Sequence, residues 1–313
     1  MSDRLLLSLA AVALVMIVLF MTVNIRGDVL FAMELRGVRL LALLLVSVSV
    51  ALSTLVFQTI TANRILTPSI MGMDALYILL QTVLVFSLSG LGYAALDPEA
   101  KFSVEVVLMI GLALALFLPL LRYSNALVLM LLGGIVLGVL FRSLSSLLAR
   151  MIDPNDFAVV QNVSYANFNS VNADLLLPSV VLTLTALIIC WRARHVLDVL
   201  LLGKPTAIGL GVNWRLFSVA MLVLVGALVA VSTALVGPVT FLGLLVVALG
   251  RKLADTSRHG QTILASCLVG VILLVGGQTL LSHGFGNAVP LGVLIEFFGG
   301  IAFIVILFHR RQW

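Results

Sequence analysis

Residues 197–212 read LDVLLLGKPTAIGLGV, a short amphipathic segment that contains three glycines. Two apolar runs flank it, at 177–191 and 216–236, and basic side chains lie at its edges: Arg192, Arg194, His195 and Arg215. Lys and Arg beside a membrane span are typical of the cytoplasmic face. A protein that only conducts or anchors has little use for such a segment. We therefore interpret it as a stiff lever that a soluble motor on the cytoplasmic side would move.

Composition identifies lipid as the solvent of this chain. Apolar residues make up 62% of its 313 residues and charged residues only 10%, and a water-soluble protein of this size could not bury that much apolar surface. A spanning helix needs about 20 apolar residues. The sequence predicts an all-α, polytopic membrane protein, a single transmembrane domain over residues 1–313, with about ten spans at 5–23, 40–60, 72–92, 102–121, 126–148, 177–191, 216–236, 241–249, 262–281 and 289–308.

The distribution of basic residues predicts the orientation. With ten spans and a cytoplasmic N-terminus, one face holds Arg4, Arg64, Arg122, Arg192, Arg194, Lys204, Arg215, Arg251, Lys252, Arg258, Arg310 and Arg311. The other face holds only Arg26, Arg36, Arg39, Lys101 and Arg150. The positive-inside rule then makes the first face cytoplasmic. We expect a multi-pass protein of the bacterial cytoplasmic membrane with both termini inside. The net charge of +5 follows from the same rule and does not indicate nucleic-acid binding.

The longest polar interruption covers residues 150–176, which the topology places outside, in the periplasm. It is rich in Asn and Ser, with Phe157, Tyr165 and Phe168 interleaved. An outward polar loop with aromatic side chains suits a contact surface for a partner. The alternative is a solvated connector with a short surface helix.

The sequence offers no site for covalent chemistry. The histidines lack metal-ligand spacing, and Cys190 and Cys267 lie in or beside apolar runs, which indicates no disulfide framework. Gly203-Lys204 resembles part of a phosphate loop, but that motif requires a glycine at 198 and Ser or Thr at 205, where this chain has Asp198 and Pro205. We expect no enzyme activity and no directly bound cofactor, with any ATP site on a separate chain.

Several charges fall within or beside apolar runs: Asp74, Glu105, Arg142 and Glu296. Intramembrane charge is costly and usually faces a cavity or a partner charge. A proton relay in an ion-coupled secondary transporter would use such groups; structural bonds, or an interfacial position for Asp74 and Glu105, would also explain them. Gly134 and Gly138 form a GxxxG face that predicts close helix packing, within the subunit or across a dimer.

Six motifs in chain order carry a resemblance to a known family. They are RGVR at 36–39, QTITANRILTPSIMG at 58–72, LLGGIVLG at 131–138, the 197–212 segment, GPVTFLGLL at 237–245 followed by RKLADTSRH at 251–259, and VPLGVL at 289–294. Together they resemble the FecCD-type permeases of ATP-binding cassette (ABC) importers for ferric siderophores, haem and cobalamin. The resemblance implies alternating access driven by a separate ATPase dimer, a second permease subunit, identical or homologous, and a soluble or lipoprotein binding protein outside. The TFLGLL variant favours a ferric siderophore over cobalamin or haem.

The resemblance also implies roles for individual residues. Residues 197–212, the coupling segment, would contact the ATPase through Leu200, Leu202, Gly203, Ala207, Leu210 and Gly211, with Gly203 and Gly209 permitting a tight bend; an interfacial helix that lies on lipid is the alternative. Arg36 and Arg39, just outside the second span, would receive carboxylates of the binding protein, with His283 as the third basic group; ordinary snorkelling of the arginines is the alternative. Residues 63–72, the gate segment, would close the pathway against 123–127, through Asn63, Ile65, Ser124, Asn125 and Leu127; simple loop packing is the alternative there.

Overall fold

The computed structural model describes residues 3–24, 28–122, 127–256, 258–284 and 290–309, and their regular elements are helical. In chain order the α-helices are α1 (Asp3–Thr22), α2 (Val29–Ile60), α3 (Met73–Ala94), α4 (Pro98–Arg122), α5 (Leu127–Ala149), α6 (Pro154–Ser164), α7 (Leu176–Leu200), α8 (Lys204–Gly209), α9 (Trp214–Val236), α10 (Leu242–Ala254), α11 (His259–Gly284) and α12 (Leu291–His309). One 3₁₀ turn, Ala173–Leu175, precedes α7.

Each of the ten apolar runs coincides with one of these helices, and the all-α membrane fold is confirmed. Within the described residues, seven helices are both long and apolar enough to cross a membrane, and Leu291–Ala302 is a shorter apolar stretch. The helix α10 has only 13 residues, which reach about 20 Å at 1.5 Å per residue. It packs against α2, α11 and α12, so its short span is shielded by protein, and the number of spans is approximately the predicted ten.

The centre of the bundle is α2 with α9. These two helices pack along each other, and α7, α10 and α11 pack around α2, while α4 covers α9. From Ala42 to Ile60 nearly every side chain of α2 is buried, including Ser47, Ser49 and Ser53. Small hydroxyl residues allow close helix approach in lipid, so the polar residues of this apolar helix mark its buried position.

Two helices extend beyond the predicted runs. The helix α2 begins at Val29 because the Asp28 carboxylate caps it, accepting from the Leu30 N–H at 2.9 Å. Arg36 and Arg39 therefore lie within α2. We had expected them just outside the second span, and the helix extends beyond that span. Likewise α7 continues from the predicted end at 191 to Leu200, so the first four residues of the coupling segment are the last turn of α7.

Glycines allow α5 to pack closely against the turn that precedes α3. A Cβ on Gly134 would lie 3.2 Å from the Met71 Cα, and one on Gly138 would lie 3.2 Å from the Gly72 Cα. The GxxxG face thus packs within the subunit, against the end of the gate segment, which is one of its two predicted uses. The backbone at Gly72 has φ of 96°, a conformation that glycine adopts without a steric penalty.

Candidate coupling site and gate

Residues 203–212 of the coupling segment form a compact series of turns between α7 and α9, which we call the bracket. At its start, Gly203 has φ of 92° and accepts from the Ala207 N–H at 3.0 Å. At its end, Gly211 has φ of 85°, and the Val212 N–H donates to the Ala207 carbonyl at 3.0 Å. Gly209 was predicted as a bend residue, but it has no positive φ and ends α8 with open space around its Cβ position. The chain reverses at Gly203 and Gly211 instead.

The predicted coupling residues separate into two sets. Leu200 and Ala207 are buried against the bundle and support the bracket from inside. On the outside, Leu202, Ile208 and Leu210 are 61%, 53% and 61% exposed. A cluster of exposed apolar side chains between charged neighbours is typical of a contact surface for another protein. We call Leu202, Ile208 and Leu210 the apolar knob.

Behind the bracket, three side chains join three helices. Asp198 Oδ1 lies 2.8 Å from His259 Nδ1 and accepts from the His259 backbone N–H at 2.6 Å. The other ring nitrogen, Nε2, lies 2.8 Å from the Thr59 hydroxyl. Sequence reasoning missed this group because its members are 61 and 200 residues apart. The available signal was that Thr59 and His259 lie at or beside the ends of predicted spans and Asp198 in the coupling segment, all on the predicted cytoplasmic side.

A buried arginine lies close to this group. Arg251, in the last turn of α10, has an Nε that makes no hydrogen bond. Burial, together with the neighbouring positive charge of Arg64, lowers the pKa of Arg251 to about 10. It remains charged at neutral pH, so the predicted cytoplasmic end of the bundle carries basic charge next to the gate segment.

The gate segment is a series of turns between α2 and α3. The Asn63 side chain accepts from the Ile65 N–H at 2.9 Å, which fixes the first turn, and both residues are half-buried. Of the opposing set, Ser124 and Asn125 lie outside the described residues. Leu127 begins α5, but its side chain also lies outside the described part of the chain. The predicted pairing of the two segments stays a prediction.

At the opposite end of the bundle, the two predicted docking arginines have different environments. Arg36 Nη1 donates to the carbonyls of Phe20, Met21 and Val23 at 3.0, 3.1 and 2.8 Å. It thereby caps the C-terminus of α1, where carbonyls lack helical partners. Arg39 is half-buried, with one weak bond from Nη2 to the Asn169 carbonyl at 3.5 Å. His283 lies in the last turn of α11, and its side chain is outside the described part.

The 150–176 segment is folded rather than a free loop. Asp153 caps α6, which packs against α3. The following residues pass into the bundle: the Asn167 N–H donates to the Val236 carbonyl at 2.7 Å, and Phe168 is only 1% exposed. Phe168 was expected in a contact surface, and that expectation is wrong because its ring fills the core. Tyr165, 52% exposed, remains available to a partner.

The interior charges are mostly held by structural bonds. Glu105 accepts from Gln81 and lies 3.9 Å from Lys101. Asp74 accepts from the Thr240 hydroxyl at 2.9 Å. Both carboxylates are buried inside the bundle, near the starts of α3 and α4, and their predicted position near the membrane interface stays a prediction. Arg142 differs, because its side chain is exposed on α5.

Comparison with known proteins agrees with this architecture. The model of the FecCD transport family matches residues 4–309. The chain therefore belongs to the FecCD transport family, and it is a transport protein rather than an enzyme, as the sequence predicts.

Individual relatives add detail. The petrobactin import system permease protein YclO of Bacillus subtilis is 40% identical over 307 residues, 97% of each chain. The petrobactin import system permease protein FatC of Bacillus anthracis is 33% identical over 88% of this chain and 78% of its own. A solved structure of a metal-chelate type ABC transporter in an inward-facing conformation covers 98% of this chain and 99% of its own, with a TM-score of 0.84 at 22% identity. The last likeness shows the same fold.

Proposed function

We propose that this chain is the membrane permease subunit of an ABC importer that moves a ferric siderophore across the bacterial cytoplasmic membrane. The observation that carries the proposal is the apolar knob, presented by a bracket that is rigidly folded between α7 and α9. Three large apolar side chains buried against a motor protein would form a stable contact, through which that protein could move the bracket. Membership of the FecCD transport family and the names of the relatives support the same reading.

The petrobactin relatives support the choice of substrate. Their names assign a siderophore to proteins that match nearly the whole length of this chain. The Escherichia coli iron(3+)-hydroxamate permease FhuB is 28% identical over 90% of this chain, which also favours iron chelates as the substrate class. We place petrobactin-like ferric chelates first, with haem and cobalamin as the alternatives.

The exposed face of α5 supports a second permease subunit. Arg142, Ser143, Ser146 and Arg150 form a polar stripe along this otherwise apolar helix, and they line one shallow groove. A charged residue that faces lipid near the bilayer centre is costly. We infer that a second permease, identical or homologous, covers this face and leaves a watery pathway along it.

The remaining partners follow from the orientation. The knob would face a cytoplasmic ATPase dimer that binds and hydrolyses ATP, with both chain termini on that side. Arg36 and Arg39, with His283, would receive a periplasmic or lipoprotein binding protein, and the segment at 63–72 would gate the cytoplasmic exit. Guanidinium groups suit such docking because they bind carboxylates bidentately and stay charged.

Replacing one glycine tests the proposed coupling. Gly203 has φ of 92° and ψ of 161°, where a β-branched residue costs about 1–3 kcal/mol of strain. We expect Gly203→Val to abolish uptake of iron-55-loaded petrobactin in vesicles that contain the chain, its ATPase, its second permease and its binding protein. ATP hydrolysis should continue, uncoupled from uptake.

Gly209→Ala is the matched control, because this glycine of the same segment has open space at its Cβ; uptake should be retained. Wild-type vesicles that import the chelate on a proton gradient without ATP would overturn the proposal in favour of an ion-coupled secondary transporter. Normal growth on iron-chelate medium after deletion of the chain would indicate a non-transporting scaffold.

A further inference from the structure

We propose that Asp198, His259 and Thr59 form the mechanical connection through which the gate segment follows movements of the coupling segment. The inference rests on the proposed function, since it assumes that a motor moves the coupling segment. We call these three residues the Asp–His–Thr link. Each is a positioning residue that acts through its hydrogen bonds and not by contact with the transported chelate.

The first half of the link joins α7 to α11. An ionised carboxylate only accepts hydrogen bonds, so His259 carries a proton on Nδ1, which it donates to Asp198 Oδ1 at 2.8 Å. The same oxygen accepts from the His259 backbone N–H at 2.6 Å. His259 is the first residue of α11, and such an N–H lacks a helical acceptor. One carboxylate therefore holds both the side chain and the helix end, and its charge suits the N-terminal dipole.

The second half of the link joins α11 to α2. The Thr59 hydroxyl lies 2.8 Å from His259 Nε2 and also 2.8 Å from the Leu55 carbonyl. A hydroxyl can donate once and accept, so it serves the imidazole in either protonation state of Nε2. Thr59 and His259 are each only 2% exposed. A buried polar group that loses its partner costs about 1–3 kcal/mol, so the three helix ends resist separation.

The position of the link is what makes it a connection between two functional segments. Asp198 lies in the last turn of α7, five residues before the turn at Gly203. Thr59 lies in the last turn of α2, four residues before Asn63 in the gate segment. A displacement of the bracket must therefore pass to the end of α2 or break hydrogen bonds of His259, which is itself buried.

A polar contact made directly between α2 and α7 provides the control. Ser49 of α2 and Thr183 of α7 are joined by their hydroxyls at 3.1 Å, and both are buried. Ser49 is ten residues from Thr59, about 15 Å along the helix. This pair holds α2 to α7 but touches neither the coupling segment nor the gate segment. Its removal should soften the bundle without disconnecting the two.

The experiment uses the complete complex, with ATPase, second permease and binding protein, reconstituted in vesicles with iron-55-loaded petrobactin. The measured quantity is the number of chelate molecules imported per ATP hydrolysed. Coupling energies between sites are typically worth 5- to 150-fold, so we expect Asp198→Ala, which removes the acceptor oxygen, and Thr59→Val each to lower this ratio about tenfold. Thr59→Ser, which retains the hydroxyl, and Thr183→Val should keep the wild-type ratio.

A distance measurement separates transmission from general softening. Spin labels at Thr206 and at Arg64, both exposed, report the distance between the coupling segment and the gate segment. When ATP binds, we expect this distance to stay constant in the wild type, where the link moves the two segments together, and to change in Thr59→Val.

Two results would overturn the link: an unchanged import ratio in both Asp198→Ala and Thr59→Val, or an equal loss in Thr183→Val. Failure of the proposed function is a different result, since the wild-type complex itself would then show no ATP-driven import.

Discussion

The helices α1 and α2 have almost the same hydropathy but opposite environments. Only 11% of the most apolar window of α1 is buried within the protein, against 78% of that of α2. The exposed side of α1 carries Leu7, Leu14 and Val15, whereas the buried length of α2 includes several serines and threonines. Lipid tails are as apolar as Leu, so large apolar side chains gain little by turning inward. Hydropathy thus predicts that a helix spans the membrane, but small polar residues indicate which helix is central.

The largest difference in stability should come from truncating one large side chain on each helix. Phe57 of α2 is fully buried, while Leu14 of α1 is 63% exposed. Phe57→Ala leaves a cavity and should cost about 3–5 kcal/mol of stability. Leu14→Ala should stay within about 0.5 kcal/mol, as for other surface positions. Thermal unfolding of the purified protein in detergent, with a bound thiol-reactive dye as the probe, measures both. Equal losses would mean that α1 is as buried as α2 in the working protein.

A smaller difference in stability should come from adding a methyl group to a glycine that packs against each helix. A Cβ on Gly243 would lie 2.1 Å from Thr54 Oγ1 of α2, whereas one on Gly276 would meet the Met16 Sδ of α1 at 3.5 Å, an ordinary contact. Overpacking typically costs 1–3 kcal/mol, so we expect Gly243→Ala to unfold at a temperature several degrees lower. Gly276→Ala should unfold near the wild-type temperature. A tolerated Gly243→Ala would show that Thr54 rotates away, and that α2 is packed less tightly than the structure indicates.

Charge reversal at the external end should give the smallest change in stability and tests docking as well. Arg36→Glu removes the cap of α1 and should cost about 0.3–2 kcal/mol, whereas Arg39→Glu removes only a weak bond to Asn169. If both arginines receive carboxylates, each reversal should weaken binding of the substrate-binding protein, measured by titration calorimetry. Unchanged affinity in the Arg36 variant, with lowered stability, would assign Arg36 to capping alone.

The sequence predicted the helical class and the ten apolar runs, because these depend on local hydrophobicity, whereas the role of the coupling segment stays a prediction. The sequence was less accurate for helix ends. The helix α2 begins well before its apolar run, since Asp28 caps a stretch without proline, in which the single glycine, Gly37, does not end the helix. In the coupling segment only the fold separates buried supports such as Ala207 from the exposed knob, whose Ile208 was not among the predicted residues; contact with an ATPase stays a prediction. Phe168 was misplaced because an apolar residue in a polar loop can turn inward.

The Asp–His–Thr link illustrates what local sequence cannot contain. Asp198, His259 and Thr59 are unremarkable within their own segments, and only the packing of α7, α11 and α2 brings Asp198 and Thr59 each within 3 Å of His259. The sequence by itself determined which segments enter the membrane, because the free energy of transfer from water into lipid is a sum over neighbouring residues. Only the tertiary structure decided which of those segments face protein, since burial within a bundle depends on helices that are distant along the chain.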